Sequence, residues 1–221
     1  MNKNVLVAPS ILSADFSRMD KAVNLAVQAG ADLIHVDVMD GRFVPDITFG
    51  HKMVADIRKL TDLPLDVHLM VENPENQVVS FAKAGSDIIT FHPEVVLHSH
   101  RLLAFIKSLG KKAGISMVPS TPVCMIKELL PFIDHMLVMT VNPGYGGQVL
   151  IPECLEKVAE LCRLRAEKGY EFTIAVDGGI NVSTIPRARE AGTDILIMGS
   201  AFFEAQDPQG LVAAARGIKT V

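Results

Sequence analysis

The amino-acid sequence predicts an α/β protein built as a (β/α)8 or TIM barrel, spanning residues 1–221 as a single domain. Three observations predict it. Eight apolar runs of strand length recur along the chain, amphipathic stretches of helical period separate them, and each unit takes roughly 25–28 residues, the spacing of an ordinary barrel of this type. An open doubly wound sheet is the competing architecture, because a count of strands does not by itself demand closure.

In chain order, the runs lie at 5–12, Leu33–Met39, 63–71, Ile88–Phe91, 113–119, 136–142, 172–177 and Ile195–Met198. Three are announced by a recurring signature: Ala29-Gly30-Ala31-Asp32, Ala84-Gly85-Ser86-Asp87 and Ala191-Gly192-Thr193-Asp194. Alanine then glycine before an apolar run reads as a helix end, a glycine just beyond it, and entry into a buried strand. Between the sixth and seventh runs, Pro152–Lys168 has helical period, with Glu153, Glu156 and Glu160 early and Arg163, Arg165 and Lys168 late. That charge order complements the helix dipole. No low-complexity segment or long linker divides the chain.

Composition narrows the function. With 49% hydrophobic residues and no tryptophan, the chain can bury a substantial core. A net charge of −4 with dispersed basic residues offers no field for nucleic acid or an acidic membrane, so an anionic ligand must be held locally. The opening residues are broken by Pro9 too soon for a secretory signal, and the expected compartment is the cytoplasm. Cys124, Cys154 and Cys162 form no CxxC motif and read as reduced, buried filler.

The polar residues within apolar runs point to chemistry. In parallel strands the C-terminal ends share one face, where barrel enzymes carry their active sites. Late in their runs stand Ser10, His35 and Asp37, His68, His92 and Asp177. Residues two apart on a strand project together, so His35, Asp37 and Met39 share one side, as do Asp66, His68 and Met70. Two imidazoles and two carboxylates, His35, Asp37, His68 and Asp177, form a candidate four-ligand site for one divalent metal ion: zinc first, with iron(II), manganese or cobalt as alternatives. A cation would compensate otherwise costly buried charges, and a hydrogen-bonded polar core is the competing explanation. For His51, His92, His98, His100 and His135 the core explanation is the expected one.

Glycines form a second constellation. Asn142-Pro143-Gly144-Tyr145-Gly146-Gly147-Gln148 follows the sixth run, Gly178-Gly179 the seventh, and Gly199-Ser200 the eighth. Glycine lets backbone N–H groups approach an anion closely, and barrels hold phosphate in their last loops. A phosphorylated substrate is expected, and tight turns alone would account for any one of these loops. Pro143 and its glycines also suit a loop able to close over a ligand.

With these residues in view, the sequence resembles the ribulose-phosphate 3-epimerase family nearly end to end. The matching motifs are AlaProSerIleLeuSerAlaAspPhe (8–16), HisValAspValMetAspGlyArgPheValPro (35–45), LeuAspValHisLeuMet (65–70), MetThrValAsnProGlyTyrGlyGlyGln (139–148), ValAspGlyGlyIle (176–180) and GlySerAla (199–201). The related D-allulose-6-phosphate 3-epimerases share much of this pattern. The resemblance implies a ribulose-phosphate-binding (β/α)8 barrel, a divalent metal, and interconversion of D-ribulose 5-phosphate and D-xylulose 5-phosphate by proton transfer at carbon 3 through an enediolate. It implies metal ligation by His35, Asp37, His68 and Asp177, acid/base roles for Asp37 and Asp177, and substrate contacts from Ser10 and His68. Phosphate contacts fall to Gly144, Tyr145, Gly146, Gly147, Gly178, Gly179, Gly199 and Ser200, while Met39, Met70 and Met139 line the reacting carbons. A homo-oligomer is the expected assembly.

Two departures stand out. Many bacterial relatives read AsnProAlaThrPro after the fifth strand, where this chain has Val118-Pro119-Ser120-Thr121-Pro122, and Tyr145 stands where phenylalanine is usual. Against a sugar-phosphate decarboxylase, the AspXaaLysXaaXaaAsp motif of those barrels is replaced by Asp66-Val67-His68-Leu69-Met70-Val71, which lacks the lysine. A non-catalytic sugar-phosphate-binding barrel is the third class, and the acid/base pair argues against it.

Overall fold

The computed structural model describes residues 5–218. Eight parallel strands, β1 (Leu6–Pro9), β2 (Ile34–Met39), β3 (Leu65–Met70), β4 (Ile88–Phe91), β5 (Lys112–Met117), β6 (His135–Met139), β7 (Thr173–Asp177) and β8 (Ile195–Met198), pair in the order β1-β8-β7-β6-β5-β4-β3-β2. The ring closes between β1 and β2 through a parallel bridge, Ser10 to His35. The barrel is therefore closed, and the open sheet is ruled out.

Helices α1 (Met19–Gln28), α2 (His51–Arg58), α3 (Val78–Ala84), α4 (Ser99–Ser108), α5 (Cys154–Lys168) and α6 (Ile185–Glu190) connect successive strands, and α7 (Ser200–Phe203) and α8 (Pro208–Arg216) follow β8. Between β5 and β6 the expected helix is replaced by 3₁₀ turns at Val123–Met125 and Lys127–Phe132. Pro131 within the second turn cannot donate an N–H, which disfavours a continuous α-helix there. Helix α5 starts at Cys154, two residues inside the expected Pro152, and buries Cys154, Leu155, Val158 and Leu161 at helical spacing before Gly169 ends it at φ +67°.

Outward-facing strand residues such as Val36, Val67, Ile89, Ile115, Val138 and Val176 pack against the helices in one continuous core. Each fully buried aliphatic or aromatic side chain there contributes roughly 1.5–3 kcal/mol. Inside the barrel, Ala8, Leu137, Ala175, Ile195 and Ile197 fill one half, while the other half, from β2 to β6, is polar: His35, Asp66, Thr90, Ser116 and His135 are all buried.

The N-terminal rim repeats one device four times. Asp32, Asp87, Asp134 and Asp194 each precede an even strand and exchange backbone and side-chain hydrogen bonds with one residue of the odd strand before it. Their N–H groups donate to the carbonyls of Val7, Leu65, Ala113 and Ile174, and their Oδ2 atoms accept from the N–H groups of the same residues at 2.8–2.9 Å. A basic side chain pairs with each carboxylate, from the helix before the odd strand or, for β1, from the last helix α8: Arg216 with Asp32, Arg58 with Asp87, Lys107 with Asp134 and Arg165 with Asp194. The signature aspartates of the sequence are thus buckles between neighbouring strands.

Candidate active site and metal centre

The opposite rim carries the candidate site. Alternation along β2 turns His35, Asp37 and Met39 inward, alternation along β3 does the same for Asp66, His68 and Met70, and Asp177 ends β7. The structure brings together the four expected ligands: one donor atom from each of His35, Asp37, His68 and Asp177 lies within 4.8 Å of every other. His35 Nε2 and His68 Nδ1 both approach Asp37 Oδ1, at 3.2 and 3.1 Å. Their remaining nitrogens are engaged behind the cluster, His35 Nδ1 with Asp66 Oδ2 at 2.8 Å and His68 Nε2 with His92 Nε2 at 2.9 Å. Two imidazoles oriented by buried partners, together with two carboxylates, form a donor set that fits a divalent metal ion.

The two carboxylates sit in different electrostatic surroundings. Burial works to raise the Asp37 pKa, but His35 and His68 beside it prevail and hold its carboxyl far below the usual carboxylate range. Ser10 adds a hydrogen bond from its hydroxyl to Asp37 Oδ2, 2.5 Å. Asp177 is pushed up to about 7 by burial and by the negative charge of Asp37. Burial and the neighbouring His92 lower His68 to about 4, Asp37 opposing them. For His35, burial is outweighed by Asp37 and Asp66, and its pKa rises well above the ordinary value.

A cavity of about 420 Å³ opens directly above this cluster. Asp37, Asp177, Ser10, Met39, Met70 and Met139 line its inner end, and Gly144 to Gly147, Gly178, Gly179, Gly199 and Ser200 line its outer end. His35 and His68 are fully buried and do not line it. Gly179 shows why glycine is needed: at φ +68°, an added Cβ would lie 2.3 Å from the Leu150 amide nitrogen. Gly178, at φ +111°, would meet the Val141 side chain in the same way. Lysine, arginine and histidine are all absent from the described residues lining the cavity.

Some expectations need correcting. His92 and His135 are buried and hydrogen-bonded as expected, but His51, His98 and His100 are exposed, because they stand at the starts of α2 and α4 and not within strands. Cys154 is buried, Cys162 partly so, and Cys124 is exposed on the 3₁₀ turn after β5; all three are free. Ser10 lies just past β1, and His92 just past β4. Asp66, against His35, and Glu94, beside His92, are partners of the site that were not among the expected residues. Period-two spacing already set Asp66 beside His68, but nothing local in the sequence linked Glu94 to either.

The chain is similar to known proteins over nearly its whole length. A family model described as the ribulose-phosphate 3 epimerase family matches residues 6–203. The chain is 51% identical over 203 residues to a ribulose-phosphate 3-epimerase of Treponema pallidum (strain Nichols), covering 92% of this chain and 93% of that protein. It is 47% identical to one of Bacillus subtilis (strain 168), covering 97% and 100%. Among solved structures, KGPDC from Streptococcus mutans superposes with a TM-score of 0.71 at 16% identity, over 98% of this chain and 97% of that one, which speaks for the barrel fold alone. Among the described residues, no helix is long and apolar enough to cross a membrane. Near-half identity sustained over almost the whole length, on a barrel with this cluster at its mouth, makes the chain an epimerase of the isomerase class and a member of the ribulose-phosphate 3-epimerase family.

Proposed function

We propose that this chain, acting as one catalytic barrel, interconverts D-ribulose 5-phosphate and D-xylulose 5-phosphate by moving a proton at carbon 3. One observation carries the reading: a single cavity is lined both by Asp37 and Asp177 and by the three glycine loops, so that chemistry and a phosphate anchor share one space.

His35, Asp37, His68 and Asp177 would hold one divalent ion, zinc first among the candidates. When bound, that ion supplies Lewis-acid stabilisation of the negative charge developing on the substrate oxygens. Inverting carbon 3 needs a proton taken from one face and another delivered to the opposite face, and therefore two groups. Asp37 on β2 and Asp177 on β7 come from separate strands of the ring and serve as base and acid, exchanging roles with direction. In the metal-free site the neighbouring histidines hold Asp37 ionised, while burial and Asp37 raise Asp177, so the two carboxyls are electrostatically unlike. Ser10, hydrogen-bonded to Asp37, steadies that carboxylate and contacts substrate, with His68 behind it. Met39, Met70 and Met139 give the reacting carbons an apolar lining that excludes water.

The phosphate rests on backbone N–H groups of Gly178, Gly179, Gly199 and Ser200, with Gly144 to Gly147 and Tyr145 covering it. Anchoring there sets carbon 3 between the two carboxylates. The reading includes a cytoplasmic homo-oligomer; three free cysteines support a reducing compartment, and the exposed Leu97 and Met125 support a subunit contact. Incubation with D-ribulose 5-phosphate in heavy water is expected to place deuterium at carbon 3 of D-xylulose 5-phosphate. Product without solvent label would overturn the two-base route, and faster turnover of D-allulose 6-phosphate would overturn the choice of sugar.

A further inference from the structure

The two ring nitrogens of His68 have different neighbours. Nδ1 points into the four-donor cluster, 3.1 Å from Asp37 Oδ1, and Nε2 lies 2.9 Å from His92 Nε2. A contact between two ring nitrogens needs one donor and one acceptor. For Nδ1 to offer its lone pair to a cation, a neutral His68 must carry its proton on Nε2, so His92 Nε2 must accept and His92 must be protonated on Nδ1. That Nδ1 is buried without a hydrogen-bond partner, and the Glu94 carboxylate lies 3.5 Å from it. Without this negative charge, His92 could as readily place its proton on Nε2, and His68 would then turn an N–H toward the cation site.

Glu94 is itself held. Its Oε1 accepts from the Val118 N–H at 3.0 Å and from the Thr121 hydroxyl at 2.7 Å. Lys157 secures the same loop by donating to the carbonyls of Val118, Pro119 and Thr121. On its other side, the Phe43 ring, from the connection between β2 and α2, packs on His92 with centroids 4.5 Å apart. We propose that His92 and Glu94 are positioning residues of the metal centre, fixing His68 in the Nε2–H tautomer that turns its Nδ1 lone pair toward the cation. The proposal rests on the metal-site reading above.

The test is zinc affinity, measured by competition with a chromophoric chelator, together with long-range proton–nitrogen correlation spectra that report histidine tautomers in the zinc-free protein. Glu94→Gln keeps an acceptor for Val118 but removes the charge facing His92, and His92→Phe removes the relay while keeping the ring volume. Each is expected to weaken zinc binding about 10- to 100-fold, with His68 in Glu94→Gln showing mixed tautomers. Lys157→Met loosens the loop without touching His92 or Glu94 and is expected to leave affinity within about twofold. Unchanged affinity and tautomer in Glu94→Gln would overturn the relay, as would an equal loss in Lys157→Met. Should His92→Phe fail to fold, Glu94→Gln decides, its site being at a loop and partly open to solvent. Wild-type protein that binds no zinc would overturn the metal site along with the relay; wild-type binding matched by Glu94→Gln would overturn the relay alone.

Discussion

Asp37 and Asp177 share one space but hold their protons differently, and each is expected to be indispensable. Asp37→Asn and Asp177→Asn keep the shape of the side chain while removing its proton transfer, so turnover should fall by about 10²–10⁴-fold or more. Circular dichroism and thermal unfolding of the purified variants should show the barrel retained. At this scale the sequence was informative where strand periodicity applies: His35, Asp37, His68 and Asp177 stand out because polar residues in apolar runs must face something that compensates them. It was silent where partnership crosses from strand to loop. Glu94 reaches His92 only through backbone placement after β4, and three histidines expected in the core lie instead at helix starts.

Among the elements, the four aspartate buckles at the N-terminal rim separate stability from catalysis. Asp134 accepts from the Ala113 N–H at 2.9 Å and pairs with Lys107, far along the strands from the cavity. Asp134→Ala is expected to lower stability by about 1–2 kcal/mol, read from the urea midpoint, while kcat per folded molecule stays at the wild-type value. Three of these buckles were visible as the alanine-glycine-aspartate signature, although only their role in ending helices could be inferred from it. The fourth was hidden, because the segment before Asp134 is a 3₁₀ turn containing Pro131 and carries no alanine-glycine ending. The even spacing of units was legible; the replacement of a helix between β5 and β6 by two 3₁₀ turns was not, although Pro131 in the second disfavours a continuous helix.

For the molecule as a whole, ring closure was the feature least accessible to sequence, since it rests on the Ser10 to His35 bridge between strands at the two edges of the pairing order. A cation held by β2, β3 and β7 ties three sectors of that ring together and should stabilise all of it. Chelation is expected to abolish activity, and zinc at about 100 times its Kd should restore it and contribute about 2.7 kcal/mol. The corresponding rise in unfolding temperature, roughly 5–10 °C, can be followed by differential scanning calorimetry.

The cavity also bears on how a doubly charged sugar arrives. Its described lining offers Asp37, Asp177 and Glu204 but no cationic side chain, on a chain of net charge −4, and Asp37 and Asp177 would balance the charge of a bound divalent ion, so little draws the incoming anion from a distance. Capture must then depend on unguided collision followed by short-range seating against amide dipoles. In stopped-flow measurements the encounter rate should therefore stay nearly flat, or rise slightly, as potassium chloride is added, whereas an entrance fenced by arginines would slow steeply.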